Sequence, residues 1–312
     1  MSERAFSEAR RRVVGAYRQA DYEGALRVAE EAAIEFPDRA DKTAYWAACL
    51  HALLGDGERA LRILEDGFAQ GLWWAPELLD ADPDLADLRS DDRFRAIVSG
   101  SEQTRASVAA ALSTDPLLRP PVEPPADVVL VLLHGRGESA EDIGDQWAAA
   151  RRAFIVVPRS TQPLGMSAMC WDDPHRAEAD IQRAVEVASS QENLAGLPLL
   201  TAGYSQGAAL AIVLAARRRL PGVVGFIAVT PAAGWALQLL EPGELHAQGI
   251  RGHIITGSLD PRRDDCQRLV QQVRENGAEV RLDVVDGLDH EYPPDFADRL
   301  PEAMAWVLWG GS

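Results

Sequence analysis

The chain has 312 residues, enough for about two domains, and 47% of them are hydrophobic, which supplies a core for each. Its net charge of −17 argues against nucleic acid or an anionic membrane surface as a partner, because phosphate binding requires a basic face. The sequence has no apolar run of the roughly eighteen residues that a transmembrane helix needs, so we expect no membrane span.

The first residues and the cysteines favour a cytoplasmic location. Residues 1–12 are charged and lack the apolar stretch of a secretory signal. The three cysteines are odd in number and have neither the spacing of zinc ligands nor that of a disulfide framework. They are Cys49, Cys170 and Cys266. We therefore expect a reducing compartment, no disulfide framework and no zinc site.

Residues 1–100 are predicted to form a helical domain, because apolar positions recur every three or four residues along 5–98. Small residues also recur at a spacing that resembles the tetratricopeptide repeat, whose period is about thirty-four residues. The matching positions are Tyr22, Ala25, Ala29, Ala32 and Pro37, followed by Ala60, Leu64 and Gly67. Such a repeat domain would offer a surface to a protein partner. An ordinary small helical bundle is the alternative.

Residues 101–126 are predicted to be a proline-rich linker. Proline fixes φ and removes a backbone donor, so we expect this segment to be stiff, extended and neither a helix nor a central strand. The prolines are Pro116, Pro120, Pro121, Pro124 and Pro125.

Residues 127–312 are predicted to form an α/β domain with a mostly parallel sheet flanked by helices, because buried strand-like runs alternate with helical stretches. The predicted strands are 128–133, 154–157, 199–202, 223–229, 252–256 and 280–285. The predicted helices are 140–151, 176–189, 206–219, 262–276 and 295–308. Active sites of such sheets lie at the carboxyl ends of the strands, which is where the candidate residues fall.

The pentapeptide Gly-Tyr-Ser-Gln-Gly at 203–207 follows a predicted strand and precedes a predicted helix. This G-x-S-x-G pattern is typical of the nucleophile elbow of serine hydrolases. The turn is so tight that side chains at 203 and 207 would collide with neighbouring backbone, so glycine is needed at both. The pattern predicts Ser205 as a nucleophile; an ordinary glycine-bounded turn is the alternative.

A serine nucleophile needs a base that is itself oriented by a carboxylate, in the chain order serine, acid, histidine. His290 lies in a polar turn after the last predicted strand, where the base is expected. Asp260 follows the preceding strand and is predicted to be the acid. Asp264 and Asp265 are competitors, but they fall in the first turn of a predicted helix, where acidic residues are common.

Two backbone donors are needed to stabilise the oxyanion that forms during acyl transfer. We predict the N–H of Gln206, directly after the nucleophile, as one donor. The main-chain N–H of Arg136 is predicted as the other, since it lies in the glycine-rich turn at 132–138 after the first strand. The Arg136 side chain could pair with Glu138 or with a substrate carboxylate.

These residues together resemble the phospholipase/carboxylesterase group of α/β-hydrolases, which includes acyl-protein thioesterases and small bacterial esterases. The shared motifs are Leu-Leu-His-Gly-Arg-Gly-Glu at 132–138, Trp-Asp at 171–172, Gly-Tyr-Ser-Gln-Gly at 203–207, Gly-Ser-Leu-Asp at 257–260 and Asp-His at 289–290. The resemblance covers about 127–309. Two departures stand out: alanine follows Gly207 where the family has glycine, and residues 159–170 differ from the acyl-protein thioesterase pattern.

The resemblance implies a serine carboxylic-ester hydrolase in which Ser205, Asp260 and His290 are catalytic and Arg136 and Gln206 are oxyanion donors. It also implies a small-molecule ester or thioester substrate and a mechanism that requires no metal and no organic cofactor. Trp171 and Tyr204 are expected to contribute to the substrate pocket. Two alternatives stay open: the same residues could cleave amide or peptide bonds, or the hydrolase fold could be the scaffold of an interaction protein.

Overall fold

The computed structural model describes residues 3–143, 145–166, 168–240 and 245–310. Over this part, the chain divides into two compact units. Unit 1 comprises Met1–Leu112 and the short segment Pro163–Ala168, and unit 2 comprises Ser113–Gln162 and Met169–Ser312. The boundary at Leu112 falls within the segment predicted as the linker.

Unit 1 is helical, and three of its helices begin at an aspartate that caps the first turn. The carboxylates of Asp21, Asp56 and Asp91 each accept a backbone N–H from that turn, at 2.8 to 3.0 Å. The helices are α1 (Glu3–Arg18), α2 (Tyr22–Glu35), α3 (Ala40–Leu53), α4 (Gly57–Ala69), α5 (Pro76–Ala81) and α6 (Asp92–Ala111). Helix α6 thus continues into the segment predicted as the linker.

The small residues of the predicted repeat are buried where the helices of unit 1 pack. Ala25 and Ala29 of α2 and Ala60 of α4 have no exposed surface. A Cβ at Gly67 would lie 3.0 Å from the ring of Trp74, so only glycine allows this approach without a shift. Small side chains therefore let the helices come close together, while the likeness to tetratricopeptide repeats stays a prediction.

Unit 2 contains a seven-stranded sheet of order β1-β3-β2-β4-β5-β6-β7. All neighbouring strands are parallel except β1, which runs antiparallel to β3 at the edge. The strands are β1 (Leu117–Arg119), β2 (Val128–Leu133), β3 (Ala153–Val157), β4 (Leu199–Tyr204), β5 (Val223–Val229), β6 (Arg251–Gly257) and β7 (Glu279–Val285). The predicted mostly parallel sheet is confirmed. Strand β1 was not predicted, because it lies among prolines.

Helices cover both faces of this sheet, as expected of strands that are buried on both sides. Alternate side chains of β2 enter two separate cores, with Val129 and Val131 in one and Leu130 and Leu132 in the other. Helices α7, α8, α9 and α10 contribute to the first core and α11 to the second. The helices are α7 (Pro174–Gln191), α8 (Ser205–Ala216), α9 (Ala233–Leu239), α10 (Arg263–Glu275) and α11 (Phe296–Trp309).

The predicted helix at 140–151 is wrong, and two short 3-10 turns, Ala140–Asp142 and Asp145–Trp147, occupy this stretch. The buried Trp147 is held by tertiary contacts instead. Its ring packs edge-to-face on Phe296 at 5.0 Å, and its Nε1 donates to the Tyr292 hydroxyl at 3.2 Å.

Across the described ranges, every helix is either too short or too polar to cross a bilayer. The three cysteines are free and buried.

Candidate active site

The chain turns from β4 into α8 at Ser205, whose φ of 53° lies in the left-handed region. A Cβ at Gly203 would lie 2.6 Å from the carbonyl oxygen of Leu133, and one at Gly207 would lie 2.4 Å from the carbonyl oxygens of both Leu133 and His134. Backbone cannot yield as a flexible side chain does, so both positions require glycine. The predicted geometry of the elbow is therefore confirmed at both glycines.

Ser205, His290 and Asp260 form one continuous chain of hydrogen bonds. The Ser205 Oγ lies 2.9 Å from Nε2 of His290, and Nδ1 of the same ring lies 2.8 Å from Oδ2 of Asp260. The three residues follow the carboxyl ends of β4, β7 and β6, which lie at the same edge of the sheet; β6 and β7 are neighbours, and β5 lies between β4 and β6. The structure thus brings together the three residues that the sequence singled out.

Asp260 is buried, and its second carboxylate oxygen accepts the backbone N–H of Arg262 at 2.9 Å. Burial by itself would raise the pKa of Asp260, but the hydrogen bonds from His290 and Arg262 outweigh it and hold the pKa below its ordinary value. The competitors Asp264 and Asp265 lie in the first turn of α10 and pair with arginines of the same helix.

Tyr204, which precedes the serine, contacts the turn that carries His290. Its hydroxyl donates to the main-chain carbonyl of His290 at 2.7 Å, and its ring stacks on Tyr292 with centroids 4.8 Å apart. No sequence pattern indicated these contacts, because the two tyrosines are far apart along the chain. A place for Tyr204 in the substrate pocket stays a prediction.

Both predicted oxyanion donors lie next to the elbow. Gln206 is the second residue of α8, so its N–H has no intrahelical carbonyl to bind. Leu133 of β2 pairs in register with Gly203 of β4, which puts the turn containing Arg136 beside the elbow. That turn is held by backbone donors: Gly135 N–H donates to the Glu138 carboxylate at 2.8 Å. The oxyanion role of both residues stays a prediction.

The Arg136 guanidinium pairs with Asp172, a partner that the sequence did not indicate. Its Nη2 donates to Oδ2 at 3.0 Å and its Nε to Oδ1 at 3.1 Å. Burial by itself would raise the pKa of Asp172, yet the guanidinium and the side-chain amide of Gln206 hold it below its ordinary value. Trp171 has no exposed surface. Its role as a wall of the substrate pocket stays a prediction.

One group of possible metal ligands lies together in the described residues: Cys49, Asp82 and Asp84 of unit 1. Hydrogen bonds within the protein already engage these side chains. Asp82 accepts from the Tyr45 hydroxyl and Asp84 from Tyr17 at 3.0 Å. Burial also raises the pKa of the Cys49 thiol, which disfavours the thiolate that binds metals. We assign no metal to this group.

Neither a protein-family model nor a curated protein sequence matches the chain. Among solved structures, an uncharacterized protein from Bacillus cereus ATCC 10987 is similar over 99% of both chains, with 22% identity and a TM-score of 0.51. A second solved structure, acyl-protein thioesterase 2 of Zea mays, is similar over 63% of the present chain and 100% of the thioesterase chain, with 17% identity and a TM-score of 0.50. At sequence identities this low, the two comparisons show similarity of fold alone. Unit 2 has an α/β-hydrolase fold.

Proposed function

We propose that the protein is a serine hydrolase that cleaves carboxylic esters or thioesters. The hydrogen-bond chain from Ser205 through His290 to Asp260 supports this proposal most strongly. A serine hydroxyl is a weak nucleophile, and a histidine oriented by a buried carboxylate is the arrangement that activates it. The left-handed φ of Ser205 fits the same role, because strained backbone at an elbow presents the hydroxyl to a substrate.

In the proposed first half-reaction, Ser205 Oγ attacks the carbonyl carbon and its proton passes to Nε2 of His290. The Asp260 carboxylate faces Nδ1, so Nδ1 carries the other proton and Asp260 stabilises the imidazolium that forms. The main-chain N–H groups of Arg136 and Gln206 donate to the oxyanion. When the tetrahedral intermediate collapses, the alcohol or thiol leaves with the proton from His290 and the acyl group remains on Ser205.

In the second half-reaction, water attacks the acyl-enzyme. His290 takes a proton from this water, and the second tetrahedral intermediate collapses to a carboxylic acid. Ser205 recovers its proton from His290, so the enzyme returns to its starting state. The complete cycle consumes one ester or thioester and one water.

A fluorophosphonate probe tests the nucleophile. We expect stoichiometric labelling at Ser205, located by peptide mass spectrometry, together with hydrolysis of aryl esters. Ser205→Ala is expected to abolish both while the fold, followed by circular dichroism, is kept. Absence of labelling in the folded wild type would overturn the proposal and favour the scaffold alternative. An alanine variant that keeps most of the activity would mean that the nucleophile is a different residue.

A comparison of leaving groups separates ester from amide hydrolysis. We expect aryl esters of graded acyl length to be turned over faster than peptide amides carrying the same acyl groups. The same series would define the acyl length that the site accepts. Faster turnover of the amides would replace this proposal by the amide or peptide-bond alternative.

A further inference from the structure

The carboxylate of Asp172 binds the side chains of both residues proposed as oxyanion donors. Its Oδ1 accepts from Nε2 of Gln206 at 2.7 Å and from Nε of Arg136 at 3.1 Å. Its Oδ2 accepts from Nη2 of Arg136 at 3.0 Å. One side chain thus connects the turn after β2 with the first turn of α8.

Trp171, directly before Asp172, completes the hold on Gln206. Its main-chain N–H donates to Oε1 of Gln206 at 2.9 Å, so both ends of the Gln206 amide are hydrogen-bonded. The indole Nε1 donates to the carbonyl oxygen of His134 at 3.0 Å, and the ring stacks on His134 with centroids 4.6 Å apart. Trp171 and Asp172 therefore each contact both the turn after β2 and the first turn of α8.

The burial of these groups indicates what the contacts contribute. Gln206 is only 6% exposed, so its amide needs both hydrogen bonds to avoid an unsatisfied polar group. The side chains of Arg136 and Asp172 are 40% and 44% exposed, and an ion pair this exposed contributes little to stability. Its bidentate geometry instead fixes orientation, since a guanidinium fork meets a carboxylate in one plane.

We propose that Asp172 is a positioning residue for the oxyanion hole, holding the main-chain N–H groups of Arg136 and Gln206 at the separation that the tetrahedral intermediate requires. This inference rests on the proposed function. Oxyanion donors act only over a narrow range of distance, and a misplacement of about 1 Å costs roughly a hundredfold in rate. In this arrangement the two N–H groups of Trp171 support Asp172 by binding Gln206 and the carbonyl oxygen of His134.

Asp172→Asn is the sharpest test, because it keeps the size of the side chain. An amide that presents an oxygen to Nε2 of Gln206 must turn its NH₂ toward Arg136, which can only donate, so the bidentate pair is lost. We expect kcat for the best aryl ester to fall roughly tenfold to a hundredfold with KM nearly unchanged. A trifluoromethyl ketone bearing the same acyl group forms an oxyanion on Ser205, and its affinity should fall by a similar factor.

Asp173→Asn is the matched control, since it makes the same change of charge one residue away. Asp173 caps α7 through the backbone N–H groups of His175 and Arg176, and asparagine caps helices equally well. We expect this variant to keep kcat, KM and the ketone affinity within about twofold of wild type. A loss in Asp173→Asn equal to that in Asp172→Asn would assign the effect to charge alone and overturn the inference.

A double-mutant cycle keeps the test independent of folding losses in one variant. Arg136→Ala retains the main-chain N–H but removes the guanidinium, so it should lower kcat in the same way. The double variant Arg136→Ala/Asp172→Asn should lose no more than the larger single loss, because the two residues act as one unit. Fully additive losses, or losses confined to KM, would overturn the inference.

Assays of the wild-type protein distinguish failure of the proposed hydrolase function from failure of the positioning role of Asp172. If it neither reacts with a fluorophosphonate nor hydrolyses any ester, the proposed function fails and the inference fails with it. If it does both, and Asp172→Asn retains the wild-type kcat and ketone affinity, only the positioning role is overturned.

Discussion

Ser205 carries backbone strain that the surrounding structure maintains. A non-glycine residue in the left-handed region costs about 1–2 kcal/mol. At Ser205 this conformation is held by the close approach of Gly203 and Gly207 to the backbone of the turn after β2, and by the Ala232 N–H, which donates to the Ser205 carbonyl at 2.9 Å. The hydroxyl of Ser205, the proposed nucleophile, is therefore oriented before any substrate arrives.

Two inactive variants of Ser205 should differ in stability. Both Ser205→Ala and Ser205→Gly remove the hydroxyl, but only glycine adopts a φ of 53° without a Cβ penalty. We expect the glycine variant to exceed the alanine variant by about 1 kcal/mol in free energy of unfolding, measured by urea titration. Equal stabilities, or a more stable alanine variant, would mean that the position is not strained.

His134 is fully buried, and burial lowers its pKa from 6.5 to about 4. Its Nδ1 donates to the carbonyl of Gly135 at 2.8 Å, while Nε2 has no partner among the described residues. The folded state therefore holds the neutral ring. Between pH 6.5 and about 4 the unfolded chain binds a proton that the folded chain does not, so stability falls as the pH falls.

We expect this residue to remove about 2 kcal/mol of stability between pH 7 and pH 5, and about 3 kcal/mol once the pH is below its folded pKa. His134→Asn keeps a donor near the position of Nδ1 but does not titrate. Urea unfolding of both proteins at pH 7 and pH 5 isolates the effect, because all other groups are shared. Parallel pH profiles of the two proteins would contradict a buried neutral histidine.

The sequence predicted the residues of the candidate site better than the contacts around them. The order of Ser205, Asp260 and His290 follows from chain position and strand ends, which the hydrophobic pattern reveals. The pairing of Arg136 with Asp172 depends on how the turn after β2 approaches the loop before α7 in space. No local sequence pattern encodes that approach, which depends on the three-dimensional packing of the two segments.

At the scale of elements, the turn after β7 is anchored to the elbow through Tyr204. Its hydroxyl bonds to the His290 carbonyl, so it fixes the backbone that carries the proposed base. Tyr204→Phe should leave the ring stack with Tyr292 intact and remove this hydrogen bond. The loss of one such bond, about 1 kcal/mol, corresponds to roughly a fivefold fall in kcat for an aryl ester.

Tyr292→Phe provides the matched control for that measurement. Its hydroxyl accepts from Trp147 at 3.2 Å, so the same atom is deleted from the same aromatic cluster without touching His290. We expect kcat of this variant to stay within about twofold of wild type. Similar losses in both variants would attribute the effect to the cluster as a whole.

Strands were predicted accurately where nearly every residue of the strand is buried. Strands β2 and β5 have the predicted bounds, because runs of mostly apolar residues fit a strand covered on both faces. Helix α9 was missed because it has only seven residues. The helix predicted at 140–151 is absent for a different reason. This stretch has a helical composition, but the contacts of Trp147 with Phe296 and Tyr292 determine the local structure.

For the whole molecule, the predicted organisation is a helical domain at 1–100, a linker at 101–126 and a catalytic domain at 127–312. This division stays a prediction. The structure adds that α6 extends to Ala111 and that β1 at Leu117–Arg119 belongs to the sheet of unit 2. The segment 101–126 therefore contains more helix and strand than its prolines predict.

Strand β1 has a consequence for how unit 2 behaves outside the full chain. Residues Leu117, Leu118 and Arg119 cover the edge of β3, pairing with Val157, Val156 and Ile155. A chain beginning at residue 127 lacks this cover, whereas one beginning at residue 113 keeps it, and both lack helices α1 to α6 of unit 1. We expect only the shorter chain to form growing particles in light scattering at micromolar concentration. Equal scattering from both would contradict this.

An uncovered strand edge is a template on which other chains can add strands. The proline-rich segment would then protect unit 2 against self-association, and its three paired residues would determine how long isolated unit 2 stays in solution without aggregating.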